Sequence, residues 1–236
     1  MSTLKFGSRG DEVKQLQTLL GVEADGIFGK LTLAAVLGFQ RKMSLVADGI
    51  VGVKTWKALG VSNDCEIECE DLKQYSSPHG TMVYGGTGYS TYKAGGCGVT
   101  AFAIVQRAYG LAPEGEAATE TIQRLGKYAY EHGYRIKGAG TAAGLFGTNG
   151  TGYTATVKAA AIENALVAGK LVIMCIKKGF GNGYTGAGHY VVAYGIKDGY
   201  VLLRDVGSSA AGRQRARLDK ITEGLKSAYV IERSGG

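Results

Sequence analysis

Cys97 sits in Lys93-Ala94-Gly95-Gly96-Cys97-Gly98-Val99-Thr100, a glycine turn that feeds a run of small residues with apolar positions at 101, 104, 105 and 108. That spacing predicts a helix with one buried face and with the sulfur at its N-terminus. There, unpaired N–H groups and the positive end of the helix dipole favour the thiolate, which is the attacking species. Gly96, with no side chain, would let a substrate backbone come close. The chemistry on offer is nucleophilic attack on an acyl carbon; the competing reading is a buried structural cysteine, against which the glycines argue.

A thiol nucleophile needs a base, and the chain has three histidines: His79, His132 and His189. His132 closes the helical stretch Thr119 to Gly133, where an imidazole beside glycine is ordinary capping chemistry. His79, in Ser-Ser-Pro-His-Gly, reads as a loop residue. His189 opens an apolar strand, Tyr190-Val191-Val192-Ala193-Tyr194, after Gly186-Ala187-Gly188. A substrate could pass near Gly188 while the sheet fixes the ring.

Downstream, Tyr200-Val201-Leu202-Leu203-Arg204-Asp205 is an apolar strand that ends in a carboxylate. A hairpin through Lys197-Asp198-Gly199 would let Asp205 reach the imidazole, hold its tautomer and stabilise the imidazolium. The simpler reading is that Asp205 starts a turn with Gly207. Acyl transfer also calls for donors aimed at the developing oxyanion, and Gln74 is the candidate amide, although its spacing does not set it apart from other polar residues.

The elements that must carry these groups occupy 236 residues, 45% apolar and 20% charged, with 39 glycines but 2 prolines. That composition excludes a disordered tail and a collagen-like repeat. No apolar run approaches a membrane span, and Met1 to Gly10 lacks the core of a signal peptide. The net charge of +7 is dispersed: residues 1–62 carry 8 basic and 5 acidic side chains, and the rest 19 and 15. Neither segment is a nucleic-acid footprint, so no nucleic-acid partner is expected. Four cysteines (Cys65, Cys69, Cys97, Cys175) are too few for a disulfide scaffold and lack paired C-x-x-C spacing, so no metal and no cofactor are expected.

An internal repeat marks the first domain: Ala24-Asp25-Gly26-Ile27-Phe28-Gly29-Lys30 returns 23 positions later as Ala47-Asp48-Gly49-Ile50-Val51-Gly52-Val53. Each Asp-Gly supplies a turn that tolerates positive φ, and Thr32 and Thr55 suit helix caps. With Val13, Leu16, Leu19 and Leu20 on one stripe and Leu33, Val36, Leu37 and Phe39 on another, the pattern predicts a three-helix unit. The domain boundaries expected are 1–62, a linker at 63–72, and 73–236. Within the last, Thr156 to Ala168 reads as a helix, Ser227 to Glu232 as a final strand, and the glycine-rich Lys137 to Tyr153 as a loop whose Leu145 and Phe146 could flank a cleft.

GSRGDEVKQLQTLLG, the two ADGI turns, GFQRK and TWKAL resemble the peptidoglycan-binding module found beside many cell-wall hydrolases. The resemblance implies that a glycan or stem peptide docks near Asp25, Gly26, Asp48 and Gly49, residues that could equally serve folding alone. KQYSSPHGTMVYGG, YKAGGCGVTAFAIV, GAGHYVVAYG and YVLLRD resemble the C39-like group of papain-fold cysteine peptidases, with Val99 where that group often has Pro. This implies an α+β fold, a Cys-bearing helix on an antiparallel sheet carrying His189 and Asp205, with Gln74 completing the oxyanion hole. Together the two resemblances imply a hydrolase of bacterial peptidoglycan, cutting a stem-peptide amide or the muramoyl-alanine amide. The setting expected is an endolysin, made in the cytoplasm and reaching the wall on release, with no membrane insertion. An inactive wall-binding protein and a peptidase acting on proteins are the alternatives.

Overall fold

A computed structural model describes residues 3–82, 91–132, 134, 143–148, 150–177, 180 and 188–234. The chain divides into two units, Met1–Asp64 and Cys65–Gly236. No helix among the described residues is long and apolar enough to cross a membrane.

The first unit holds α1 (Asp11–Leu20), α2 (Lys30–Lys42) and α3 (Val53–Ala58) around Leu4, Val13, Leu16, Phe28, Val36, Val51 and Trp56. Its repeat has a side-chain logic that the apolar pattern hid. Gln17 is buried, and its Nε2 donates to Asp25 Oδ1 at 2.7 Å, Ile27 O at 3.1 Å and Thr32 Oγ1 at 3.0 Å, while its Oε1 accepts from Gly26 N at 2.8 Å. Gln40 repeats every bond, to Asp48, Ile50, Thr55 and Gly49. Each amide thus satisfies the turn's orphan backbone groups from inside the unit. Gly26 and Gly49, at φ +77° and +73°, make the turns possible. Thr32 and Thr55 therefore do not cap: Gly29 and Gly52 hold the cap positions, and the threonine hydroxyls meet the glutamines one turn in. Leu19, expected inside, is 43% exposed.

Gln17→Ala leaves the Gly26 N–H and the Ile27 carbonyl without this partner and is expected to destabilise the unit by about 2–3 kcal/mol, lowering its Tm by roughly 10–20 °C. Trp56, the one tryptophan of the chain, is buried in this core, so its fluorescence during thermal unfolding reads the first unit selectively. A Tm within 2 °C of the parent would show that water replaces the amide at little cost.

The second unit is a seven-stranded antiparallel sheet with helices packed on it. It comprises β1 (Cys65–Glu66), α4 (Tyr92–Gly95), α5 (Cys97–Ala108), α6 (Ala118–Glu131), α7 (Ala143–Phe146), β2 (Thr151–Thr156), α8 (Ala159–Val167), β3 (Val172–Ile176), β4 (His189–Lys197), β5 (Tyr200–Asp205), β6 (Arg215–Arg217) and β7 (Leu225–Arg233). The strand order is β2-β7-β3-β4-β5-β6, with β1 also on β4. Phe102, Ile104 and Val105 of α5 share one apolar cluster with Ile173, Val192 and Ile231 of the sheet, and α5 packs on β4. This is the expected α+β arrangement, a cysteine-bearing helix on an antiparallel sheet.

Three expectations are corrected. The segment 63–72 is not simply a linker, because Cys65 and Glu66 pair with Ile196 and Gly195 and Ile67 N donates to Tyr194 O. The helix expected at 156–168 begins at Ala159, since 151–156 extend as a strand along β7 and leave Val157 exposed. Leu145 and Phe146 are buried, Phe146 packing edge-on against Tyr190 and Tyr229, so they line the core rather than a cleft. Residues 137–142 and 149 of that loop lie outside the described residues, as do Gly186 and Ala187.

Candidate active site

The β4–β5 hairpin turns through Asp198 and Gly199, both at positive φ (52° and 78°), the two-residue geometry that matches strand twist. Its register sets Val191 opposite Asp205. Side chains alternate along a strand, so His189 lies on the same face as Val191, and Asp205 meets it diagonally across the pair. His189 Nε2 is 2.6 Å from Asp205 Oδ1. His189 is also hydrogen-bonded to Cys97, which starts α5 and is half-buried. Helix and sheet thus bring sulfur, imidazole and carboxylate into one row.

Asp205 is fully buried, and each of its oxygens is engaged. Oδ1 also accepts the Gly207 N–H at 2.9 Å, and Oδ2 pairs with Arg213 Nε at 2.8 Å. The two sequence readings of Asp205, imidazole partner and turn starter with Gly207, both describe it. Burial works against the charge of His189, but its hydrogen bond to Asp205, and next that to Cys97, outweigh it and push its pKa up to about 9. Burial likewise works against the Asp205 charge, and the His189 hydrogen bond leads the interactions that hold its pKa below the usual carboxylate value.

Behind the row, Lys73 is a buried ammonium that donates to the Asp205 carbonyl at 2.8 Å and the Ser208 carbonyl at 3.0 Å while pairing with Asp71 at 2.7 Å. It clamps the chain where β5 ends. Next to it, Gln74 ties that same end to the nucleophile's approach: its N–H donates to Val206 O at 2.9 Å and its Nε2 to Lys93 O at 2.7 Å, four residues before Cys97. One Nε2 proton of the amide is left for a further acceptor. Gly96 packs so closely on Tyr92 that an added Cβ would stand 2.7 Å from the Tyr92 carbonyl, and Gly188 precedes His189 at φ +74°.

Gly207 has a specific reason to lack a side chain, because a Cβ there would lie 2.8 Å from His189 Cε1 and 3.2 Å from Nε2. Gly207→Ala is expected to tilt the imidazole and reduce kcat about 10- to 100-fold with little change in far-UV circular dichroism. Unchanged kcat in a folded variant would show that the turn, not the ring, yields.

His132 ends α6, its Nδ1 2.9 Å from Tyr128 O and its ring stacked on Tyr128 at 3.9 Å. The side chain of His79 is outside the description. Burial pushes the Cys175 thiol up to about 11 and raises that of Cys69. Asp25, Gly26, Asp48 and Gly49 are occupied in the turns of the first unit, Asp25 and Asp48 each also accepting the N–H two residues on. The glutamine bond to Asp25 leads the interactions that lower its pKa. Among the described residues, no group of three His, Cys, Asp or Glu side chains could hold a metal ion. Sequence reading passed over Lys73 and Arg213; Arg213 lies in a basic stretch, Arg-Gln-Arg-Ala-Arg, whose composition suggests a solvated surface.

Residues 72–233 match the model of the Peptidase_C39 like family. The chain belongs to that family. The C39-like match begins beside Lys73 and Gln74 and spans the whole row from Cys97 to Arg213. Residues 9–59 match a second model, described as "Putative peptidoglycan binding domain". A relative named "Probable N-acetylmuramoyl-L-alanine amidase" from Bacillus licheniformis is 42% identical over 67 residues, a quarter of this chain and 19% of that protein. An "Uncharacterized protein in bpoA1 3'region" from Kitasatospora aureofaciens is 47% identical over 57 residues, 21% of this chain and 48% of that protein. The matches thus cover between about a fifth and a half of the curated relatives' own length.

Proposed function

We propose that this C39-like protein hydrolyses an amide of bacterial peptidoglycan through Cys97, His189 and Asp205. The observation that carries the reading is the row of thiol, imidazole and buried carboxylate, which has the order and partners of a nucleophile, its base and the base's orienter. The Cys97 thiolate attacks the carbonyl carbon, and the oxyanion is received by the Cys97 N–H and the remaining Gln74 Nε2 proton. Imidazolium His189 gives its proton to the leaving amine, the C–N bond breaks, and a thioester remains. The neutral ring then takes a proton from water as the oxygen attacks the thioester, which releases the carboxylic acid and the thiolate.

The peptidoglycan-binding match points to the wall as substrate, and the name of the B. licheniformis relative to an amide within it. The first unit would dock through the surface of its two turns, where Ile27 and Ile50 stand exposed directly after Gly26 and Gly49. Tethering at the wall raises the local substrate concentration, to the millimolar range for a short flexible connection. We place the activity in the endolysin class on this pairing of wall binder and amide hydrolase.

Mass spectrometry of fragments released from purified peptidoglycan tests the proposal. New amino termini on stem-peptide fragments, or free muramoyl carboxylates paired with free L-alanine termini, are expected. Cleavage of unstructured polypeptide with intact sacculi would overturn the assignment of substrate.

A further inference from the structure

Asp205 is shared. One oxygen faces His189 and Gly207 N–H, and the other faces Arg213, which reaches in from the turn Ala211–Arg213 after β5. The remaining polar groups around Asp205 act on its main chain: Lys73, itself paired with Asp71, holds the carbonyl, and Gln214 Oε1 accepts the N–H at 3.3 Å. Beyond His189 stands Cys97. With the thiolate formed, the row reads minus, plus, minus, plus: sulfur, imidazolium, carboxylate, guanidinium.

The fourth member matters when the second is discharged. Once the imidazolium has given its proton to the leaving amine, a carboxylate with no solvent exposure faces a neutral ring. A buried anion without a counterion is costly, and drawing a proton back toward the pair would relieve it. That proton would leave His189 unable to accept one from water. Resting on the mechanism above, we infer that Arg213 is a positioning residue of the site: it holds Asp205 ionised and bonded through Oδ1 after acylation, so that neutral His189 keeps its Nε2 proton toward Asp205 and presents a free Nδ1 to water.

The test is the pH dependence of Cys97 alkylation by iodoacetate in the full chain, followed by the mass of the Cys97-containing peptide. This anionic reagent reacts fastest with a thiolate beside an imidazolium, so the alkaline limb of its rate reports loss of the His189 proton and needs no substrate. Arg213→Gln removes a cation from beside the Asp205–His189 pair and is expected to move that limb up by about one pH unit. Arg213→Lys, which keeps the charge, should stay within about 0.3 unit of the parent. Arg213→Met, which keeps the stem, should reproduce the Gln shift and serves if the Gln variant folds poorly. In turnover of released wall fragments, the neutral variants should accumulate thioester, while a merely structural residue would slow both steps together and leave the limb in place. An unmoved limb in Gln and Met variants overturns this inference while leaving the mechanism standing. A parent profile without a bell, like that of a free thiol, overturns the Cys97–His189 pairing itself.

Discussion

A Cys97→Ala protein is expected to lose wall hydrolysis by about 10⁴-fold or more while still sedimenting with purified peptidoglycan. The loss should be this large because the proposed mechanism makes the sulfur the bond-forming atom, and it uses no other cysteine: Cys175 is buried in the core, Cys65 pairs on β4, and Cys69 follows β1. Folding should be spared. Cys97 is the first residue of α5, ahead of the apolar stripe that packs on the sheet, and deleting one half-buried sulfur there is expected to change stability by less than about 1 kcal/mol. Turbidity clearing of a cell-wall suspension gives the first readout, and co-sedimentation the second. Clearing at more than a tenth of the parent rate by a folded Ala variant would remove Cys97 from the nucleophile's place.

The second large effect is at Asp205. Asn keeps the shape but loses the charge and carries one oxygen and one NH2, whereas the native carboxylate meets His189 and the Gly207 N–H on Oδ1 and forms an ion pair with Arg213 through Oδ2. Whichever way the Asn amide turns, a donor meets a donor, and either the His189 tautomer or the Arg213 contact is lost. A fall in kcat of roughly 10²- to 10⁴-fold is expected. The pH signature has a definite sign. His189 is raised from 6.5 to about 9 chiefly by this carboxylate, so in Asp205→Asn its proton should leave at lower pH and the imidazolium window should contract from the alkaline side. The native His189 interaction stabilises the fold fully below pH 6.5 and fades as pH rises toward 9. Asp205, held below its usual value, contributes above the ordinary carboxylate range and fades on acidification. The Asn variant should therefore show a flatter stability curve on both flanks, measured as Tm against pH; parallel curves would mean that the pair does not couple to folding.

Much of this site could be read from the chain because two of its parts are local. Glycines at 95, 96 and 98 bracketing a cysteine before an apolar stripe specify a helix start, and an apolar run ended by Asp after an Asp-Gly turn specifies a hairpin with an acid at its tip. What the sequence concealed depends on partners far apart. Gln17 and Gln40 look like surface glutamines until the turns they fill are folded, and on α1 it is Gln17, not Leu19, that takes an inner position. Lys73 and Arg213 look like solvated charges; Lys73 is buried and Arg213 half-buried because a carboxylate and carbonyls at the end of β5 meet them. Leu145 and Phe146 misled in the opposite sense, since glycine-rich surroundings suggested exposure and the aromatic cluster with Tyr190 and Tyr229 gave them a core.

The hairpin that sets Asp205 diagonally against His189 also orders events in time. Cys97 comes from a helix formed by near neighbours in the chain, but the imidazole proposed as its base lies far along the sequence and reaches it only when α5 has packed on β4. A chain emerging from denaturant should regain helical circular dichroism first and catalytic competence last. A partly folded copy would thereby lack the proposed activity.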